Sequence, residues 1–306
     1  MRGAPDLSVR IGRLRLKNPV MPASGTFGYG EEYAPFLDLE ALGAVVVKTL
    51  TLQPRLGSAP HRSAEVPSGI LASIGLQNVG VERFLEEKLP FFEGLDTRLI
   101  VSIGGETVED YRQVARLLDR ASRVDAMEVN VSCPNVRRGG IHFGTDPGMV
   151  ESLTSVVRDA TDKPLIVKLT PMTGDIAAVA RACQKAGADG VSLINAPVGM
   201  AVDIHSRRSR LGRNATGGLA GPAIRPLALH LVRQAVRAVE IPVVGIGGIA
   251  SAADALEFLI AGATAVQVGT WNFVNPRATV DLIQGLEAFL EREGLGGMDG
   301  IIGTLL

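Results

Sequence analysis

Residues 165–195 read Leu-Ile-Val-Lys-Leu-Thr-Pro-Met-Thr-Gly-Asp-Ile-Ala-Ala-Val-Ala-Arg-Ala-Cys-Gln-Lys-Ala-Gly-Ala-Asp-Gly-Val-Ser-Leu-Ile-Asn. An apolar run at 165–170 gives way to a helical pattern at 176–186, and a second apolar run follows at 190–195. Neither run alternates cleanly, as expected of parallel strands buried on both faces. The unit recurs. Further apolar runs occupy 19–24, 44–49, 98–103, 126–132, 242–248 and 265–270, and helical patterns fill 108–118, 149–160, 224–239 and 252–261. Strand then helix, repeated about eight times, predicts one α/β domain over residues 1–306, folded as a closed (β/α)8 TIM barrel. A doubly wound open sheet is the competing architecture; the lack of Gly-x-Gly-x-x-Gly after the first strand counts against it.

Outside the repeat, Leu7-Ser-Val-Arg-Ile-Gly-Arg-Leu-Arg-Leu16 forms two short alternating runs hinged near Gly12, which predicts an N-terminal β-hairpin plugging one end of the barrel. Long connections follow the second, fourth and sixth strands. Residues 50–96 hold a Gly-rich turn at 68–78 and a helix at 81–89, and residues 196–220 carry Arg207, Arg208, Arg210 and Arg213. The segment after Cys133, with Arg137, Arg138, Gly139 and Gly140, is a candidate lid. All three leave the carboxyl ends of strands, where barrel active sites are assembled.

Composition narrows the class. At 46% hydrophobic and 21% charged the chain is globular, and 31 Lys+Arg against 32 Asp+Glu leave no field that recruits nucleic acid or an anionic membrane. No run is long enough to cross a bilayer and the start lacks an apolar signal core, so a cytoplasmic protein is expected. Cys133 and Cys183 make no disulfide framework, and Cys183 falls in an Ala-rich helical pattern where it reads as core. His61, His142, His205 and His230 are not at metal-ligand spacing, so no metal is expected.

The strand ends carry the chemistry. Glu128-Val-Asn-Val-Ser-Cys-Pro-Asn135 runs an apolar strand into a thiol between two asparagines, and Pro134 ends the ladder there. A buried structural cysteine is the plain reading; a thiol and two amides delivered to one strand end read as a reaction site. Other ends supply Ser24, Lys48-Thr49, Lys168 and Asn195. Gly247-Gly248 and Gly269-Thr270, each followed by a helix starting near Ser251 and Asn275, read as a phosphate cradle, to which Gly217, Gly218 and Gly221 add amides. Amides of Asn130, Asn135 and Asn195 match the C=O and N–H edges of a planar heterocycle. Lys168, inside an apolar strand, reads either as a Schiff-base nucleophile or as a fixed charge beside an electron-accepting ring.

Chained motifs then resemble a family. Residues 18–28, Lys48-Thr49, Ile74-Gly-Leu-Gln-Asn78, Glu128 to Asn135, Val167-Lys-Leu-Thr-Pro171, residues 217–226 and Gly245-Ile-Gly-Gly-Ile249 are similar to class 1 dihydroorotate dehydrogenases, across nearly the whole chain. Ser132-Cys-Pro-Asn-Val-Arg-Arg-Gly-Gly140 with Phe143-Gly144 narrows the resemblance to the class 1B catalytic subunit. It implies an FMN-containing barrel that oxidises (S)-dihydroorotate to orotate in pyrimidine biosynthesis. Cys133 would take the proton from C5 while hydride leaves C6 for flavin N5, with Lys48 between flavin and substrate. Lys168 would stand at the N1/O2 edge of the flavin. Ser24, Thr49, Ser102 and Asn130 would touch the isoalloxazine or ribityl, and Ile194, Gly221, Gly247, Gly248, Gly269 and Thr270 would line the ribityl and phosphate path. Asn130, Asn135, Asn195 and Ala196 would face the pyrimidine, and Ala72, Ser73, Ile74, Gly75 and Leu76 its carboxylate.

At two positions the chain departs from that pattern: Ala72 stands where the family usually has Asn, and Ala196 where it usually has Thr or Ser. An FMN-dependent dehydrogenase of a related dihydropyrimidine such as dihydrouracil is therefore an alternative, and a flavin-free, phosphate-binding lyase using Lys168 is one from another class. The resemblance also implies a homodimer within a heterotetramer, each catalytic chain joined to an electron-transfer subunit carrying FAD and a two-iron, two-sulfur iron-sulfur cluster that serves NAD+. With two cysteines and no dinucleotide fingerprint, this chain does not reach NAD+ unaided in that scheme.

Overall fold

The computed structural model describes residues 4–131 and 143–306. The expectations placed on Cys133, Asn135, Arg137, Arg138, Gly139 and Gly140 lie outside the described residues. Eight parallel strands form one sheet: β1 (Val20–Pro22), β2 (Ala44–Leu50), β3 (Arg98–Ile103), β4 (Ala126–Asn130), β5 (Leu165–Lys168), β6 (Gly190–Leu193), β7 (Val243–Ile246) and β8 (Ala265–Val268). Their spatial order follows the chain, with β8 returning to pair with β1. At the seam where β2 starts beside β1, Gly43 N–H donates to Val20 O at 3.1 Å. The result is the expected (β/α)8 barrel. Valine and isoleucine dominate strands that are buried along almost their whole length, because side chains on one face fill the barrel and those on the other meet the helices.

Among the described residues six helices of nine or more residues pack outside: α1 (Val108–Asp119), α2 (Pro147–Arg158), α3 (Ile176–Lys185), α4 (Arg225–Val236), α5 (Ala252–Ile260) and α6 (Ala278–Glu293). Local chemistry starts several of them. Thr107 and Asp110 form a capping box on α1, Ser251 and Asp254 one on α5, and Asp146 and Asp175 accept from backbone amides at the starts of α2 and α3. The strict strand–helix repeat fails twice. Between β1 and β2 there are only turns and the single 3-10 turn Leu39–Ala41, and the helix expected at 81–89 is a composite of α, π and 3-10 turns from Val81 to Phe92. Pro90 lacks the N–H an α-helix needs there.

The N-terminal hairpin is present: Val9–Ile11 pairs antiparallel with Leu14–Leu16 around Gly12, whose φ is +55°. Ile11 packs against Gly190 at the start of β6, and Arg98 at the start of β3 donates to Arg15 O at 3.4 Å. It therefore covers the amino ends of the strands.

At the carboxyl ends, the long connections after β2 and β6 meet. Ser63–Val66 and Gly69–Ala72 form a hairpin, and Gly69–Ala72 pairs antiparallel with Gly217–Ala220, which in turn pairs with Val198–Gly199. The turn expected over 68–78 is thus partly a strand, stabilised by pairing with a segment about 150 residues away, a partner that local sequence does not reveal.

Candidate active site

The small sheet roofs a cavity of about 890 Å³ whose floor and walls are the carboxyl ends of the barrel strands. Seven of the eight strands contribute. Ser24 follows β1, Lys48 and Thr49 lie in β2, Asn130 ends β4, and Lys168 ends β5. Ile194, Asn195 and Ala196 follow β6, Gly247 and Gly248 follow β7, and Gly269 and Thr270 follow β8. From the roof come Ala72, Ser73, Ile74, Gly75, Leu76, Gly217, Gly218 and Gly221. Lys48 and Lys168 are the only charged side chains among the described lining residues.

Ser102 is the exception among the described residues expected at the site. It is fully buried in β3, behind the wall, where its Oγ bonds Thr49 Oγ1 at 2.9 Å. Asn130 Nδ2 approaches the same Thr49 oxygen at 3.4 Å, and Tyr111 OH donates to Asn130 O at 2.8 Å. Ser102 and Tyr111 therefore orient Thr49 and Asn130 without reaching the cavity.

Beside the expected phosphate cradle, α5 starts after Ser251 as read from the sequence, but its cap is closed by its own residues. Asp254 Oδ2 accepts from Ala250 and Ser251 N–H at 2.9 Å each, Ser251 Oγ accepts from Asp254 N–H, and Arg225 pairs with Asp254. The start of α5 is capped by its own residues, so it does not offer those amides to an anion. Likewise α6 begins at Ala278, beyond the 3-10 turn Thr270–Phe273, rather than near Asn275. The available donors lie closer to the strands: the N–H groups of Gly247, Gly248, Gly269 and Thr270 donate to no backbone carbonyl among the described residues. Gly247 and Gly248 have φ of +133° and +73°, and a Cβ on either would meet Ala228 or Arg225 at 2.7 Å. Only glycine presents bare amides there.

A second set of amides lies in the roof. Gly75 and Leu76 have φ of +72° and +53°, and the N–H groups of Ile74, Gly75 and Leu76 likewise make no backbone bond among the described residues. Asn78 fixes this turn: its Nδ2 donates to Leu76 O and Thr51 Oγ1 at 2.8 Å, and its Oδ1 accepts from Thr51 and Gly80 N–H. Asn78 stood in a quoted motif with no role; its burial and four local bonds make it the clamp of the turn.

Ala72 and Ala196 share one wall. Ala72 pairs in register with Gly218, and a Cβ on Gly218 would lie 2.7 Å from that of Ala196. Beside them, Asn195 Oδ1 accepts from Ala196 N–H at 3.0 Å, and its NH2 group makes no hydrogen bond among the described residues.

Beneath the floor lies a group that strand reading missed. Glu128, fully buried in β4, accepts from Ser192 Oγ at 3.0 Å and Gln267 Nε2 at 2.7 Å, and its Oε1 lies 3.5 Å from Lys168 Nζ. A charged residue inside Ala-Met-Glu-Val-Asn was the available signal.

Cys183 sits in α3, outside the barrel, fully buried. Burial pushes its thiol from 9.0 up to about 12. Native protein treated with iodoacetamide at pH 8 is therefore expected to carry no label on Cys183, which becomes alkylated only in denaturant, as read by peptide mass mapping. The raised value also means that unfolded chain loses the thiol proton first as pH climbs, so this burial contributes fully below pH 9.0 and progressively less towards about 12.

Among the described residues no three His, Cys, Asp or Glu side chains lie together as a metal site, and no helix is long and apolar enough to cross a membrane. Comparison with known proteins gives a consistent picture. Residues 6–290 match the family described as Dihydroorotate dehydrogenase. Three relatives, each named "Dihydroorotate dehydrogenase B (NAD(+)), catalytic subunit", come from Geotalea uraniireducens, Trichlorobacter lovleyi and Desulforamulus reducens. The chain is 52%, 53% and 54% identical to them, over 99%, 98% and 98% of its own length and 99%, 99% and 98% of theirs.

Proposed function

The chain belongs to the dihydroorotate dehydrogenase family, and from that premise we propose that it oxidises (S)-dihydroorotate to orotate as an FMN-containing catalytic subunit of the NAD-linked type. The observation that carries this reading is the cavity itself. One end offers bare amides at Gly247, Gly248, Gly269 and Thr270, suited to a phosphate, and the floor offers a buried lysine. Amide and hydroxyl groups of Asn130, Thr49 and Ser24 line the space between, and 890 Å³ has room for a flavin together with a small ring. FMN, when bound, supplies the two-electron acceptor for the substrate's C–H bond.

The chain's own residues do the rest. Gly247, Gly248, Gly269 and Thr270 would hold the phosphate, Gly221 and Ile194 flank the ribityl, and Ser24, Thr49 and Asn130 bind the ring. Lys168 would bring a positive charge to the flavin, and Lys48, lining the same cavity, would contact both flavin and substrate. Asn130, Asn135 and Asn195 bind the pyrimidine edges, and the amides of Ile74, Gly75 and Leu76, with Ser73, receive its carboxylate. Cys133 removes the proton.

Lys168 as a Schiff-base nucleophile is not favoured. Lys168 Nζ lies 3.5 Å from the Glu128 carboxylate, an ion-pair geometry that suits a fixed charge better than an attacking amine. The dihydropyrimidine alternative rests on Ala72 and Ala196. Ala72→Asn and Ala196→Thr are each expected to lower KM for dihydroorotate about fivefold to tenfold, the worth of roughly 1 kcal/mol of new hydrogen bonding, with little change in kcat. A chain built for dihydrouracil instead loses activity on that substrate in both variants and gains none on dihydroorotate.

Two cysteines are too few for an iron-sulfur site, so NAD+ is reached through a partner. We assign that role to an electron-transfer subunit with FAD and an iron-sulfur cluster, in a heterotetramer built on a catalytic homodimer in the cytoplasm. The deciding experiment is an anaerobic visible spectrum of the purified chain before and after dihydroorotate. Flavin absorbance that bleaches supports the reading; a flavin that dihydroorotate leaves oxidised overturns the substrate, and a colourless chain that FMN does not reconstitute overturns the cofactor.

A further inference from the structure

Inside the barrel, under the cavity floor, side chains from four strands meet: Glu128 of β4, Lys168 of β5, Ser192 of β6 and Gln267 of β8, none more than 5% exposed. Gln267 spends its NH2 group on the carboxylate, at 2.7 Å from Glu128 Oε2. Its carbonyl oxygen is thereby turned to Lys168, 3.5 Å from Nζ. Glu128 Oε1 stands at the same 3.5 Å. The acceptors at 3.5 Å from Lys168 thus include one belonging to Glu128 and another oriented by it, while Asn130 and Ser192 flank it in register on the neighbouring strands.

A carboxylate buried in a barrel core is a poor stabiliser, since apolar replacement of a buried ion pair is often neutral or better. Its placement calls for another account. We propose that Glu128 is a positioning residue: directly and through Gln267 it pins the Lys168 side chain at the floor of the cavity that would hold the flavin. The proposal rests on the flavin reading above. It concerns residues on β4 and β8 that line no part of the cavity. Among the described residues, the titratable groups facing Lys168 are Glu128 from β4 and, lining the same cavity, Lys48 from β2; β6 and β8 present the neutral Ser192 and Gln267.

The test compares wild-type holoenzyme with Glu128→Gln, reading the midpoint potential of the bound flavin and the Tm against pH. In the variant Lys168 keeps its burial and loses its counter-charge, so its proton leaves more easily. A break in the potential between about pH 7 and 10, below the reference lysine value of about 10.4, is expected in Glu128→Gln. Wild type should lack it, and so should Glu128→Gln combined with Lys168→Met. In that window the unfolded variant binds the proton that the folded one has lost, so Tm of Glu128→Gln relative to wild type rises with pH. A carboxylate that merely fills space changes Tm without either profile. Wild-type profiles in Glu128→Gln overturn the proposal. Should that variant not fold, Gln267→Met removes one acceptor and must show a weaker form of the same break; a flat profile there overturns it as well. A wild-type chain without flavin sinks the flavin reading instead, and the Tm profiles still decide the role of Glu128.

Discussion

Cys133→Ala is expected to slow reduction of the bound flavin by dihydroorotate about 10²-fold to 10⁴-fold, the usual worth of a positioned general base. The loss should fall on the chemical step, leaving flavin content and the affinity for orotate near wild type, because no flavin contact is assigned to the Cys133 side chain. In wild type the same step should accelerate with pH. A thiol near its reference value of about 8.5 is mostly protonated at neutral pH, and only the thiolate accepts the substrate proton. Cys133→Ala removes that pH dependence together with the rate. Cys183 offers no substitute, being buried in α3 outside the barrel with its thiol pushed up to about 12. Single-turnover bleaching followed by stopped flow between pH 6 and 9 measures both effects. A variant that bleaches within a few-fold of wild type removes Cys133 from the mechanism.

How much was legible beforehand depended on the range of the interaction. The eight strands showed as apolar runs because a barrel strand is buried on both faces, and β2, β3 and β4 carry that burial along nearly every residue. Their positions then placed Lys48, Asn130, Lys168, Gly247 and Gly269 at one end, which requires only topology. Interactions across the barrel were not legible. Gln267 and Glu128 are 139 residues apart, and nothing in Ala265-Val-Gln-Val268 announces that its amide will orient a lysine of β5. The pairing of Ala72 with Gly218 was equally hidden, so two departures from a family pattern became one wall only in three dimensions. The place of Ser102 was hidden for a related reason: the period-2 direction of a strand end tells inside from outside, but not whether Thr49 stands in front.

Lys168→Met should be the most damaging single change in the floor, for stability and chemistry together. It leaves the carboxylate of Glu128 fully buried, with Ser192 and Gln267 as its neutral donors among the described residues. An uncompensated buried charge costs about 3 to 5 kcal/mol, which for a chain of this length lowers Tm by about 5 to 8 °C. The sign of its pH dependence is diagnostic. Acid relieves the orphan charge, so stability is highest at low pH and the Tm deficit at pH 8 should shrink at pH 5. Adding Glu128→Gln to Lys168→Met removes the orphan charge and should recover most of the deficit at pH 8, a coupling that a double-mutant cycle reads directly. The flavin should not recover with it: the missing positive charge beside the ring is worth about 1.5 to 3 kcal/mol, roughly 10-fold to 150-fold in the rate of reduction, whether or not Glu128 is neutralised. Stability rescued while reduction stays slow separates the two duties of Lys168, as counter-ion to Glu128 and as the charge presented to the cofactor; rescue of both would reduce it to the first.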